Sequence, residues 1–259
     1  MSRAMISLVC AFLGLSITAA VPESSPEGPR YEYSSKNSPG VELKLKEMSR
    51  EKRGKVTFVH YKLSATGFNP GKELSLYSWV WSTKNGNLSQ SGFRVDDAGK
   101  VACPQPEPPK VSETPKTQCQ AGLEENDINA IGFLAGQVYM LGLISPDGEQ
   151  KGFVEVIPFP IEAEDRGCRL QAKRLSLNAD TWLIEGDGFK PEEAIHYAFK
   201  GPGGSYEASA KLKETGKVAF TITPPDSGTL HGSVTVTVEA SACKPVLRFK
   251  WGISAIEFP

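Results

Sequence analysis

Apolar residues recur at every second position in short runs along most of the chain. Clear examples are 41–45, 57–63, 195–199 and 234–238, and Gly, Pro, Asn and Asp separate the runs. A period of two is the spacing of β-strands, because successive side chains of a strand point to opposite faces. We therefore predict an all-β fold. Only segment 123–134, where acidic residues precede apolar ones at helical spacing, could hold a short helix.

The two halves of the chain repeat the same sequence blocks in the same order. Residues 40–49 align with 167–176, 61–70 with 182–191, 99–102 with 216–219, and 136–144 with 232–240. The second pair of blocks shares Gly-Phe-x-Pro, and the third pair is Gly-Lys-Val-Ala in both copies. A period of about 100 residues is too long for a solenoid and fits two whole domains.

Short strands and turn signals in a unit of this size predict a β-sandwich. We place the first sandwich at 40–160, with a long Pro-rich loop at 103–119, and the second at 161–259. Two prolines and three acids lie close to this boundary, at 158–166, and indicate a short and fairly stiff linker.

The first copy carries a recognisable series of turns and strands. Gly-Phe-x-Pro-Gly-x-Glu at 67–73 precedes an apolar strand, an Asp-x-Gly turn follows at 97–99, and a late strand begins with Gly-x-Val at 136–138. This series resembles the immunoglobulin-like domains of bacterial exported and surface proteins. The resemblance implies two tandem immunoglobulin-like β-sandwich domains that serve in binding, spacing or adhesion, with no shared reaction. The second copy departs from the pattern at Glu192, where the first has Gly71.

The amino terminus has the features of a cleaved secretory signal. Arg3 precedes an uncharged apolar run at 6–17, which ends in small residues up to Ala20. We predict a signal peptide at 1–20 and, from its Pro, Ser and Glu content, a disordered leader at 21–39. An uncleaved membrane anchor is the alternative, but the run is short for a bilayer span. We expect a secreted or periplasmic protein with no transmembrane segment in the mature chain.

The cysteines support export. Of five cysteines, Cys10 lies in the predicted signal, and an even number remains in the mature chain. An even count in an exported protein indicates disulfides, with three possible pairings for four cysteines. We predict that Cys103 pairs with Cys119, which closes the Pro-rich loop, and that Cys168 pairs with Cys243, so that both bonds stay within one domain.

Charge and motifs argue against several classes of function. The chain has 29 Lys and Arg against 30 Asp and Glu, a net charge of -1, whereas nucleic-acid-binding proteins usually carry a basic excess. No Gly-x-Ser-x-Gly occurs, and His60 and His196 alternate with inward-facing residues, which predicts that they face solvent. We predict no catalytic residue, no cofactor and no metal ligand. The acidic segment 162–165 leaves open a calcium site at the linker.

Basic residues cluster at the tip of the first hairpin. Arg50, Lys52, Arg53 and Lys55 could contact an anionic polymer or a membrane surface. The alternative is a charged turn that is simply solvated.

An aromatic stripe follows in the next strand. Tyr77, Trp79 and Trp81 share one face, opposite Leu74 and Leu76. They could form an exposed platform for a sugar or a partner protein, or they could be buried, because sandwiches of this kind often bury a Trp on the same strand.

We thus expect an exported, non-enzymatic binding or structural module that contacts an unidentified protein or glycan at the cell surface or in the periplasm. The alternative from another class is a small secreted hydrolase or inhibitor that works through the Pro-rich loop of the first domain.

Overall fold

The computed structural model shows an almost entirely antiparallel β-structure, which confirms the predicted all-β, sandwich-type fold. It describes residues 36–80, 85–104, 119, 123, 127–176, 178–202, 204–223, 231–256 and 259. Within these ranges the helical structure is a single 3₁₀ turn, Ile253–Ala255. No helix in the described ranges is long and apolar enough to cross a bilayer.

The first half folds into two antiparallel sheets. One has the strand order β1-β2-β6 and the other β5-β4-β3-β7-β8. The strands are β1 (Glu42–Arg53), β2 (Val56–Thr66), β3 (Glu73–Val80), β4 (Asn87–Val95), β5 (Val101–Ala102), β6 (Asp127–Ile131), β7 (Tyr139–Ile144) and β8 (Lys151–Val156).

The second half also folds into two antiparallel sheets. Their orders are β14-β11-β10-β9 and β13-β12-β15-β16. The strands are β9 (Ile161–Asp165), β10 (Cys168–Arg174), β11 (Trp182–Asp187), β12 (Ala194–Gly201), β13 (Gly204–Lys211), β14 (Val218–Ile222), β15 (His231–Glu239) and β16 (Val246–Gly252).

The segment for which a short helix was considered forms a strand instead. Within 123–134 the chain forms β6, which pairs with β2 so that Ile128 lies opposite Tyr61. Ile128 and Ala130 are buried, whereas Ile131 is exposed, so the segment alternates with a period of two. Pairing with a neighbouring strand therefore outweighs the helical spacing of its apolar residues.

Each half has its own apolar core, to which both of its sheets contribute. In the first half the fully buried residues include Leu63 of β2 and Leu74 of β3. In the second half they include Ile184 of β11 and Val236 of β15. Because every second residue of a strand faces inward, the period-two runs of the sequence supply these cores.

Both predicted disulfides are present. Cys103 is joined to Cys119, with a Cα–Cα distance of 5.8 Å, and Cys168 is joined to Cys243, with a Cα–Cα distance of 6.2 Å. Both bonds connect residues of the same half, as the sequence predicts.

The aligned glycines of the two halves adopt the same geometry. Gly67 has φ +83°, and a Cβ atom there would lie 1.9 Å from the carbonyl oxygen of Gly40. Gly188 has φ +82°, and a Cβ atom there would lie 2.0 Å from the carbonyl oxygen of Gly167. Only glycine fits such an approach at a positive φ. The two turns therefore make the same backbone contact, between positions that the sequence alignment had matched.

The next aligned pair keeps its backbone conformation although the residue changes. Gly71 has φ +79°, and Glu192 at the matching position has φ +58°. The departure of the second copy from the motif is thus a change of side chain, and the left-handed turn is retained.

The junction between the halves is tightly connected. The Nζ of Lys173 lies 2.5 Å from Glu155 of the first half and 2.8 Å from Glu185 of the second. The backbone N–H of Arg174 donates to the carbonyl of Gly136 at 2.8 Å. Each half has a separate core, and both the boundary near residue 160 and the independence of the two halves stay predictions.

The end of the predicted leader contacts the edge of β8. The backbone N–H of Ser38 donates to the carbonyl of Lys151, and the Asn37 Oδ1 accepts from the N–H of Phe153, both at 2.8 Å. The predicted signal at 1–20 and the leader up to residue 35 lie outside the described residues.

Candidate functional site

An aromatic cleft opens at one edge of the second half, between the β12–β13 hairpin and β14. Its volume is about 560 Å³. We call it the aromatic cleft and define it by its lining residues, which are Tyr197, Phe199, Gly204, Ser205, Tyr206, Phe220, Thr221, Ile222 and Thr223.

The strand pairing explains why the cleft exists. Residues Gly201 and Gly204 close the hairpin, and its register sets Phe199 opposite Tyr206. β13 pairs with β12, whereas β14 pairs with β11 in the other sheet. Because β13 and β14 belong to different sheets, the interior of the sandwich opens between them, and inward-facing aromatic residues reach the surface there.

The rings of the cleft are packed against one another. The Tyr197 and Phe220 rings stack with centroids 5.1 Å apart and an interplanar angle of 27°. The Tyr206 ring lies 6.3 Å from that of Tyr197, and Tyr206 is 58% exposed. Burial raises the pKa of the Tyr197 phenol, and the neighbouring Tyr206 raises it further. The Tyr197 hydroxyl therefore stays protonated at neutral pH and can act as a hydrogen-bond donor.

The chemistry of the lining is apolar and hydroxylic, without formal charge. Rings come from two tyrosines and two phenylalanines, and further hydroxyls come from Ser205, Thr221 and Thr223. An aromatic ring offers a flat apolar surface, and the hydroxyls can both donate and accept hydrogen bonds. A largely apolar pocket with a few polar groups is the usual character of a small-ligand site.

Comparisons with known proteins do not identify a family. No protein-family model matches the chain, and no curated protein matches it. Among solved structures, a red sea bream transglutaminase matches with a TM-score of 0.23 and 10% identity, covering 81% of this chain. This chain spans 31% of the length of that structure. A TM-score this low carries no argument about the fold or the function of this chain.

The structure decides between the two alternatives for Trp79. Tyr77 and Trp79 lie on the face opposite Leu74, as predicted, but Trp79 is fully buried. It packs in a separate apolar cluster with Val138 and Met140, and Tyr77 is partly buried against that cluster.

Neighbouring groups cover the Trp79 indole, so this residue cannot form part of an exposed binding platform. A Cβ atom at Gly86 would lie 2.5 Å from the indole, and the Phe153 ring is 6.0 Å away. Trp81 lies outside the described residues. A binding role for the stripe stays untested, but Trp79 itself belongs to a core.

The arginines of the basic tip are engaged by neighbouring groups. Arg50 bonds Glu47 through two 2.7 Å contacts, lowers the pKa of that carboxyl, and lies 5.4 Å from the centre of the Phe159 ring. Arg53 bonds Glu51 at 2.7 Å and lies over the ring of Phe58.

The lysines of the tip, Lys52 and Lys55, are exposed. The two arginines already have acidic and aromatic partners, so the solvated-turn alternative accounts for part of the cluster. Contact with an anionic surface stays a prediction.

The acidic segment at the junction does not gather its carboxylates at one point. Glu162 accepts a 2.5 Å hydrogen bond from Gln171, whereas Asp165 accepts one of 2.6 Å from the backbone N–H of Lys244. β9 is extended, so neighbouring side chains point to opposite faces. Among the described residues, no group of three His, Cys, Asp or Glu side chains could hold a metal ion.

The histidines lie apart from one another on different strands. His60 lies between Ser49 and Asn129 in the first sheet, and His196 is half-exposed, 3.8 Å from Glu207. The Pro-rich loop lies outside the described residues from 105 to 118. The alternative function, a hydrolase or inhibitor that works through this loop, is therefore untested.

Sequence reasoning missed the aromatic cleft. The alternation of the run 195–199 predicts only that Tyr197 and Phe199 share the inward face. One signal was available: the aligned positions of the first copy hold the smaller Leu76 and Ser78. The larger rings of the second copy indicate that its interior has more room at this edge.

Proposed function

We propose that this protein is an exported binding module of two tandem immunoglobulin-like β-sandwiches, and that the aromatic cleft of the second binds a neutral glycan. The observation that carries the proposal is the charge-free lining of aromatic rings and hydroxyls around the exposed Tyr206. The protein acts by binding and does not transform its ligand.

The sheet topology supports the immunoglobulin-like assignment. In the first half the chain runs through β1 and β2 in one sheet, β3 to β5 in the other, returns for β6, and ends with β7 and β8 in the second sheet. Such crossing between sheets is characteristic of immunoglobulin sandwiches. The core order β4-β3-β7-β8 recurs as β13-β12-β15-β16. The two disulfides are compatible with the oxidising environment of an exported protein.

The chemistry of the cleft favours a sugar over a charged ligand. One face of a pyranose ring carries mainly C–H bonds, which pack on an aromatic ring, while its hydroxyls need polar partners at the edge. Tyr206 supplies an accessible ring, and Ser205 and Thr221 stand beside it. A charged ligand would find no opposite charge in the lining, so its desolvation would be uncompensated.

A protein partner is the second candidate, and β13 favours it. This strand pairs with β12 on one side, and nearly all of its residues are exposed. An edge strand can accept an extended peptide as an additional strand.

The test is a titration of the mature chain with neutral oligosaccharides, chosen from a glycan array and measured by calorimetry. Tyr206→Ala should weaken binding by roughly 1–3 kcal/mol, as an exposed hot-spot aromatic does. Tyr206→Phe separates the contribution of the ring from that of the hydroxyl. Met48→Ala, which truncates another side chain more than half exposed but lies in the first half, is the matched control and should leave affinity unchanged.

Two results would contradict the proposal. One is an array on which no neutral glycan binds, and the other is a glycan whose affinity is unaffected by Tyr206→Ala. Turnover or enzyme inhibition that survives Tyr206→Ala and is lost on alanine replacement of a histidine or acidic residue would favour the hydrolase or inhibitor alternative.

A further inference from the structure

A buried arginine lies at the junction between the halves, and several of its donors have no partner in the part of the chain that the structure describes. Arg174 ends β10 and is 3% exposed. Its Nη2 donates to the carbonyl of Ala255 at 2.6 Å, and its guanidinium carbon lies 5.2 Å from the centre of the Trp182 ring. The Nε and Nη1 atoms are buried and have no hydrogen-bond partner among the described residues.

The neighbouring Lys173, unlike Arg174, is paired with acidic side chains at this junction. Lys173 is nearly as buried, and it contacts the carboxylates of Glu155 and Glu185. Arg174 makes no such contact in the described structure. Burial lowers the pKa of Arg174 to about 10, so the group remains protonated at neutral pH. A buried charge without an opposite charge is unfavourable, and unpaired buried N–H groups add to that cost.

Arg174 lines a cleft of about 300 Å³ that lies between the halves. Ala135 from the first half and Ile161 and Trp182 from the second form apolar walls. The charged side chains of the lining are all cationic: Arg174 within the cleft, and Arg248 and Lys250 at exposed positions of β16. Pro259, the last residue of the sequence, also lines the cleft.

We propose that this junction cleft binds a compact oxyanion, such as a carboxylate, phosphate or sulfate group, with Arg174 as the principal donor and Arg248 as a second cation. The unused N–H groups of Nε and Nη1 match oxygen acceptors, and a guanidinium is well suited to oxyanions. Both atoms are shielded from solvent in this structure, so the proposal requires that the 3₁₀ turn, which holds Nη2 through Ala255, move aside when the anion binds.

The position of the site links binding to the contact between the halves. The N–H of Arg174 donates to Gly136 of the first half, and Gln137 forms a bridge with Arg174. A ligand that binds only the folded junction stabilises it by mass action. Oxyanions should therefore raise the melting temperature of the full chain more than chloride does at equal ionic strength.

The experiment measures thermal unfolding and calorimetric binding of the full chain with inorganic phosphate, sodium sulfate or sodium acetate, each against sodium chloride at matched ionic strength. A saturable, anion-specific rise is expected. Comparison of the phosphate and acetate arms distinguishes a phosphate-bearing from a carboxylate-bearing ligand. Equal effects of all four salts would overturn the proposal.

Variants assign the site to the cleft. Arg248→Gln removes one exposed cation and should lower oxyanion affinity about two- to fivefold, the size of an exposed ion pair. Arg94→Gln removes the same charge from an exposed position on β4, far along the chain, and should have no effect. Equal effects of the two variants would show that only net charge matters, which contradicts a site.

Arg174→Lys keeps the charge but removes most of the donors, and it should abolish the anion-specific rise in a chain whose circular dichroism remains native. If this variant does not fold, the comparison of Arg248→Gln with Arg94→Gln still decides the question.

Discussion

Substitution of Trp79 tests whether the second apolar cluster of the first half is a packed core. The indole is fully buried, on the side of the sheet that faces away from the main core, and it packs against Val138 and Met140. A Trp side chain buries roughly 150–250 Å², which at about 25 cal/mol per Å² corresponds to about 4–6 kcal/mol. Partial relaxation of the surroundings brings the expected loss for Trp79→Ala to about 3–5 kcal/mol.

The assay is urea unfolding followed by circular dichroism, because tryptophan fluorescence changes with the substitution itself. A loss of this size should move the transition of the first half by more than about 1 M urea, with the second half unaffected. Leu88→Ala is the control: Leu88 lies opposite Tyr77 on β4 and is 42% exposed, so it should cost less than about 1 kcal/mol. A Trp79→Ala chain within about 1 kcal/mol of the wild type would refute the second cluster as a packed core.

Three further predictions concern backbone, domain structure and pH. Gly188→Ala should lower the free energy of unfolding by at least about 2 kcal/mol in thermal melts, because the new methyl group would lie 2.0 Å from a carbonyl oxygen. The control is Gly148→Ala, at φ +71° with open space around it, which should lower the free energy of unfolding by only about 1 kcal/mol. Residues 161–259 alone should unfold cooperatively, since that fragment contains a complete core and the Cys168–Cys243 bond. Asp147→Asn should lower the urea midpoint at about pH 7, and this loss should be smaller at about pH 2.5.

The pH prediction follows from the partners of Asp147. Hydrogen bonds from Lys72, Ser145 and the N–H of Glu149 lower the pKa of Asp147 below its ordinary value. The stabilisation is therefore fully present above about pH 4, decreases below that pH, and is lost only as the pH falls through the folded-state pKa. An equal effect of Asp147→Asn at both pH values would contradict this account. A dispersed, protease-labile 161–259 fragment would contradict the domain division, and equal costs at Gly188 and Gly148 would contradict the close approach.

The strands and the disulfides could be predicted because their signals are local or follow from the repeat. Alternation marks inward residues wherever strands pair, and the duplicated blocks place each cysteine within its own half. The helix considered within 123–134 is wrong because pairing of Ile128 with β2 involves residues more than sixty positions away. Local spacing has no information about such a partner.

The sites could be predicted less well for a related reason. Gly-Lys-Val-Ala is identical in the two copies, yet Val101 pairs with β4 and Val218 pairs with β11. The pairing of β5 with β4 closes this edge of the first half, whereas the pairing of β14 with β11 leaves the corresponding edge of the second half open. Four identical residues cannot reveal this difference. Likewise, alternation places Trp79 on the outer face, but its cover comes from Gly86 and Phe153.

The left-handed turn at Glu192 has a consequence for the stability of the second half. A left-handed backbone costs a residue with a side chain roughly 1–2 kcal/mol, which Gly71 avoids at the matching position. The second copy adopts the same turn without a glycine, so the rest of that unit must hold the loop in place. Replacing Glu192 by glycine should therefore increase the stability of the second half. The turn also shows that the two halves share a backbone conformation at a position where their residues differ.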